Sequence, residues 1–201
     1  MIRVLRAAER FETVQPGILT RHCFSAGPHY DPGNTRFGPL IGFDEHLVAP
    51  GAGFARHAHR GVDIVSWVLD GALRHEDGSG TERTVRPGLA QLQATGGGIE
   101  HSELNASATE PLRFLQMTLL ADVGPPRYAL GEPPVAAAAG TFGIHRAGTV
   151  SVEAPLVHVY VAAGGFEVGD QRLHAGDSAR ADEPVTLDGT GDLVVWELRA
   201  G

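Results

Sequence analysis

A chain of 201 residues, 42% hydrophobic and 20% charged, can fill one large core or two small ones and is not of disordered composition. Its formal net charge of -8 repels phosphate backbones and disfavours direct nucleic-acid binding. One cysteine, Cys23, excludes an intramolecular disulfide, and no apolar run approaches the ~20 residues that span a bilayer.

Near the start, Arg3, Arg6, Glu9 and Arg10 interrupt any signal-peptide core, so a cytoplasmic protein is expected. Cys23 reads as a small core residue. The 27 glycines and 13 prolines then cut the chain into short segments. Runs of strand length and composition follow at 62–69, 89–94, 114–120, 157–162 and 193–198, with a turn at Asp77-Gly78-Ser79-Gly80. Gly124-Pro125-Pro126 and the segment 131–140 lack patterning and read as a linker. After it, 150–198 reads again as strands. The order of strand and glycine turn around Gly164 to Asp177 resembles that around Gly71 to Gly88, which suggests a repeated barrel. No long stretch has a period near 3.6, so the expected class is an antiparallel sandwich or barrel.

Two pairs of side chains carry chemistry. His57-Ala58-His59 and His101-Ser102-Glu103 each place two donors at i and i+2, which on a strand point to one face. Imidazole and carboxylate suit a borderline divalent metal. Pairs on neighbouring strands would converge on one ion, with coordination positions left for water, dioxygen or a substrate oxygen. His22, His46 and His75 are candidates to support the ligands by hydrogen bonds, His75 foremost. His145, His158 and His174 lack the paired spacing, so no metal is expected in the second half. Arg56 and Arg60 flank the first pair, either to meet an anionic substrate or to form rim ion pairs. Asp63 and Asp70 read as rim or turn residues.

Arg21-His22-Cys23-Phe24-Ser25, Tyr30-Asp31-Pro32 and Phe37-Gly38-Pro39-Leu40 are followed by VAPGAGFARHAHRGVDIVSWVL, DGALRHEDGSG, VRPG, ATGGGIEHSELN and EPLRFLQM. In this order they resemble the pirin family of bicupins over about half the chain. The resemblance implies two antiparallel β-barrels packed face to face. Residues 1–125 would form a metal-binding cupin domain and 126–201 a cupin-like domain without metal. The ligands carry over onto His57, His59, His101 and Glu103. The metal would be iron by preference, although nickel, manganese, copper or zinc also suit such a site. Two departures stand out. Ala58 replaces the proline usual between the two histidines, and Leu89 replaces the aspartate of the usual Pro-Gly-Asp turn.

Some bacterial members of the family are quercetin 2,3-dioxygenases, which open a flavonol ring with dioxygen and release carbon monoxide. The chain is therefore expected to act on a flavonol-like substrate, with Glu103 taking the proton of the 3-hydroxyl. Phe43, Trp67, Leu92 and Met117 are candidates for the pocket wall, against plain core packing as the alternative for each. Gly96, Gly97 and Gly98 would bring backbone close to the site. The competing expectation is a non-catalytic metal- or redox-sensing regulator that binds a protein partner. A monomer is expected, because two fused barrels cover each other.

Overall fold

The computed structural model describes residues 1–200. Its first strands are β1 (Ile2–Leu5), β2 (Phe11–Gln15), β3 (Ile18–His22), β4 (Leu40–Val48), β5 (Gly53–His59) and β6 (Val62–Asp70). Next come β7 (Leu73–Asp77), β8 (Glu82–Val85), β9 (Ala90–Ala94), β10 (Ile99–Asn105), β11 (Leu112–Leu120) and β12 (Arg127–Gly131). The rest are β13 (Val135–Ala137), β14 (Gly140–Val152), β15 (Leu156–Val168), β16 (Gln171–His174), β17 (Ser178–Ala181) and β18 (Val185–Leu198). Among the described residues the helical structure is one 3-10 turn, Ala7–Glu9. None of their helices is long and apolar enough to cross a membrane.

The protein is all-β and antiparallel, as the short strands and glycine turns predict. In the first half, a sheet ordered β12-β9-β6-β11-β4-β3-β2 faces a four-stranded sheet, β5-β10-β7-β8. In the second, β1-β17-β15-β18-β14-β13 form one sheet, with β16 on β15. Bulges at His145/Ala147 and Val161/Ala163 let its long strands bend around their own core.

Alternation along the strands sorts the side chains into layers. Val68, Leu112, Phe114, Leu73 and Val85 fill one end of the first barrel. Val159, Val161, Phe166, Leu187 and Val195 fill the second barrel with apolar atoms. Between the barrels, Phe43, Trp67, Leu92, Leu115 and Met117 meet Phe142, Tyr160, Val194 and Trp196. This layer decides between the two readings of its aromatic and apolar residues. Phe43, Trp67, Leu92 and Met117 belong to the apolar seam between the two halves, away from the two donor pairs. A central strand covered on both faces is apolar throughout, so the sequence alone does not say which face looks where.

Two expectations are corrected. The segment read as a linker contains β12 and β13, and β12 pairs with β9 over Arg127↔Ala94 to Gly131↔Ala90. Asp63 is neither rim nor turn: it is buried and accepts a 2.7 Å hydrogen bond from the Ala138 backbone N–H. Sheet membership crosses the expected 125/126 boundary in both directions. Strand β1 joins the second sheet through β17, while β12 joins the first through β9.

Candidate metal centre

Strands β5 and β10 position the two donor pairs. Their antiparallel register sets His101 opposite His57, and a bulge follows between His101 and Glu103. All four side chains lie in the first barrel. Ligand atoms of His57, His59 and His101 fall within 4.8 Å of one another. Glu103 belongs to a second, overlapping group within the same limit, with His101 and His75. The sequence pairs therefore meet, but around His101 as a hinge between two sets.

The imidazoles are prepared for a cation. The His57 Nδ1–H donates to the Ala55 carbonyl at 2.7 Å, which leaves Nε2 with its lone pair. That Nε2 stands 3.0 Å from His101 Nε2. His59 Nε2, His101 Nδ1 and both ring nitrogens of His75 are buried without a hydrogen-bond partner. Each unmet group costs about 1–3 kcal/mol, a demand that a bound ion would satisfy. Burial first, then the neighbouring His57, His59 and His75, pushes the His101 pKa down to about 3. Burial likewise lowers His59, with help from His57. Neutral imidazole is the ligating form, so the donor set fits a divalent metal.

Glu103 is buried beneath the histidines. Three neutral donors hold it: Ser66 Oγ at 3.3 Å and Gln91 Nε2 at 3.2 Å on Oε1, and Gln116 Nε2 at 2.6 Å on Oε2. Tyr128 O–H donates to Gln91 Oε1 at 3.1 Å and so fixes that amide. Burial raises the Glu103 pKa, against the lowering pull of Gln116, His57, Ser66 and Gln91. Sequence reasoning missed these supports. A signal was present: Ser66, Gln91 and Gln116 are polar residues within largely apolar strands.

His22 and His46 are not at the centre: His22 Nδ1 meets Asp44 at 2.7 Å and His46 Nδ1 meets Thr20 at 2.8 Å. His158 packs between the barrels on Phe24 and Phe43. Arg56 forms a rim ion pair with Glu76 at 3.2 Å. Asp70 ends β6 exposed, at a turn. Of the glycine run, Gly98 comes close to the site, beside the His59 backbone, while Gly96 and Gly97 pack elsewhere. A Cβ on Gly96 would overlap the Gly124 backbone, and Gly97 N–H donates to the Gly124 carbonyl at 2.9 Å. The glycine that matters at the centre is Gly53. With φ +153°, it sits where a Cβ would overlap the Glu103 carbonyl and Leu104. Gly53→Ala is expected to push β5 from β10, costing about 1–3 kcal/mol of stability and weakening metal affinity. Thermal melts of metal-free and metal-loaded protein check this; equal melting points for variant and wild type would contradict it.

The rim histidines, His57 and His59, are partly exposed. A cleft of about 450 Å³ lined by Ala58, His59, Arg60, Gly98, Ile99 and Glu100 reaches one side, and a cleft of about 490 Å³ containing Phe54, Arg56 and His57 reaches the other. Both clefts thus border the rim pair, while His101 and Glu103 lie buried behind it.

The family model described as Pirin matches residues 4–119. The chain belongs to the pirin family. A Mycobacterium tuberculosis relative, provisionally named a quercetin 2,3-dioxygenase, is 36% identical over 233 residues, spanning 99% of this chain and 96% of the relative. An Escherichia coli relative named quercetin 2,3-dioxygenase is 33% identical over 130 residues, or 64% of this chain and 56% of that one. In fold, the chain matches the bacterial pirin YhhW of E. coli in complex with nickel(II), with a TM-score of 0.90 over all of both chains at 23% identity. It is thus a pirin bicupin with a donor cluster suited to a divalent metal.

Proposed function

We propose that this pirin is a metal-dependent dioxygenase that opens flavonol-like substrates with dioxygen and releases carbon monoxide. The carrying observation is the convergence of the His57, His59 and His101 imidazoles, with the buried Glu103 carboxylate joined to them through His101, next to open clefts. The names of the mycobacterial and E. coli relatives support the substrate class. His57, His59, His101 and Glu103 are the proposed ligands, in a metal-binding half of 1–125, with 126–201 as the metal-free half, apart from the exchange of β1 and β12 between their sheets. Iron is the proposed metal. A cytoplasmic monomer completes the reading, with no direct nucleic-acid role.

When bound, the metal would supply Lewis acidity that eases deprotonation of a coordinated hydroxyl. The chain supplies the rest. His57 is held in the ligating tautomer by the Ala55 carbonyl. Glu103, made more basic by burial, takes the proton of the flavonol 3-hydroxyl. Ser66, Gln91 and Gln116 keep its carboxylate aimed and hold it by hydrogen bonds. The clefts beside β5 orient the flavonol, and proximity contributes to the rate.

Protein loaded anaerobically with Fe(II) is expected to take up oxygen and bleach quercetin. Glu103→Gln keeps the shape of the side chain but removes the proton acceptor. Its turnover is expected to fall about 10²–10⁴-fold, with a smaller loss of metal. Unchanged turnover would remove Glu103 from the mechanism. Tight metal binding with no turnover in the wild type would favour the sensing reading instead.

A further inference from the structure

His75 has no role in the proposed ligand set, yet its surroundings are unusual for a core histidine. It lies on β7, the neighbour of β10 on the side away from β5. The register sets it opposite Glu103, as His57 is set opposite His101 on the other side. Its side chain is fully buried, and neither ring nitrogen has a hydrogen-bond partner. Its ring lies 5.2 Å from that of His101 and 5.4 Å from that of Tyr128. A neutral imidazole always presents one N–H and one lone pair, so an ordinary core histidine would meet at least one of them.

Ligand atoms of His75, His101 and Glu103 lie within 4.8 Å of one another, and all three residues are buried. Two imidazoles and a carboxylate are a sufficient donor set for a divalent cation, and the carboxylate offsets part of its charge. The orphan Nδ1 of His101 adds to the argument. His101 turns Nε2 toward His57, and its other nitrogen has no partner among the described residues. The barrel therefore contains two overlapping donor sets, one at the rim and one beneath it, with His101 in both.

We propose that His75, His101 and Glu103 form an inner station for a divalent metal, which the barrel occupies when the rim histidines are lost. The inference rests on the reading of this barrel as a metal centre. The rim station faces the clefts; the inner station is closed to solvent. A metal held at the inner station would lie deeper than the rim pair that borders the clefts.

The test is Ni(II) binding to the full chain by equilibrium dialysis and elemental analysis, read without turnover. Wild type is expected to hold one ion. The double variant His57→Ala, His59→Ala is expected still to hold one, with affinity lowered about 10–100-fold. Adding His75→Gln to that double variant is expected to empty it, with the glutamine chosen to fill the space and preserve folding. Cu(II) electron paramagnetic resonance gives a second readout: splitting from two nitrogens in the double variant, and from one at most after His75→Gln. The proposal is overturned if the rim double variant is as empty as His101→Ala while wild type is loaded; the metal centre itself would then stand. It is equally overturned if the triple variant binds like the double one. A wild type that takes up no Ni(II) would sink both the inner station and the metal centre.

Discussion

His101→Ala is expected to abolish metal binding, with affinity reduced more than about 100-fold, whereas changes at either rim histidine are expected to weaken it less. The reason is topological. Strand β10 lies between β5 and β7, so His101 is the imidazole that reaches both neighbouring strands' donors. Its removal leaves each donor set one member short. The fold should survive the change, because the buried imidazole makes no hydrogen bond that alanine would orphan beyond His57 Nε2. Loss of a large buried side chain still leaves a cavity, and about 1–3 kcal/mol of destabilisation is expected. Dialysis against Ni(II) or Fe(II), followed by elemental analysis of folded protein, decides it. A full metal equivalent in folded His101→Ala would contradict the ligand assignment.

Glu45→Ala is expected to be the most damaging single change to stability, about 3–5 kcal/mol. Glu45 sits on β4 at the junction of the N-terminal arm, the first barrel and the second. Its Oε2 accepts from Arg10 at 2.8 Å and from the Tyr160 hydroxyl at 3.0 Å, and its Oε1 accepts from Arg113 Nε at 2.7 Å. Both the Arg10 and Glu45 side chains are almost wholly enclosed, at 3% and 2% exposure. Removing the carboxylate strands a buried guanidinium with no counter-charge. For a chain of this size the melting temperature should fall by roughly 6–20 °C. Burial alone would raise the Glu45 pKa, but Arg10 and Arg113 outweigh it and hold it below the usual value. A lowered carboxylate pKa adds stability that is complete above the unfolded value near ~4.3 and fades as pH drops through the folded value. The wild-type melting temperature should therefore decline on acidification below about pH 4 more steeply than that of Glu45→Ala. Parallel acid limbs would show that the network contributes nothing through its charge.

The four proposed ligands were legible in the sequence because the i, i+2 rule is local: once 53–59 and 99–105 are strands, each pair must share a face. The all-β class was legible for the same reason, from short runs bounded by glycine and proline. What escaped depends on pairing between distant strands. His75 was legible as a supporting residue, but its place among the donors, opposite Glu103 across β7 and β10, was not. Glu45 draws its partners from Arg10, Arg113 and Tyr160, which no local pattern connects. Strand β12 escaped because an edge strand with little buried surface carries no clear alternation; β9 gives it its register. Of the two readings open for Phe43, Trp67, Leu92 and Met117, pocket wall or core packing, the structure bears out core packing. Trp67 and Met117 point into the seam, while their neighbours Ser66 and Gln116 point to Glu103. In a strand buried on both sides, the polar residues rather than the large apolar ones identify the functional face.

The most direct test of the account is carbon monoxide in the headspace of Fe(II)-loaded protein given quercetin and oxygen. The account predicts carbon monoxide in equimolar ratio to the flavonol consumed, and none from His101→Ala. One metal ion bound per chain with no carbon monoxide and no loss of quercetin would contradict it.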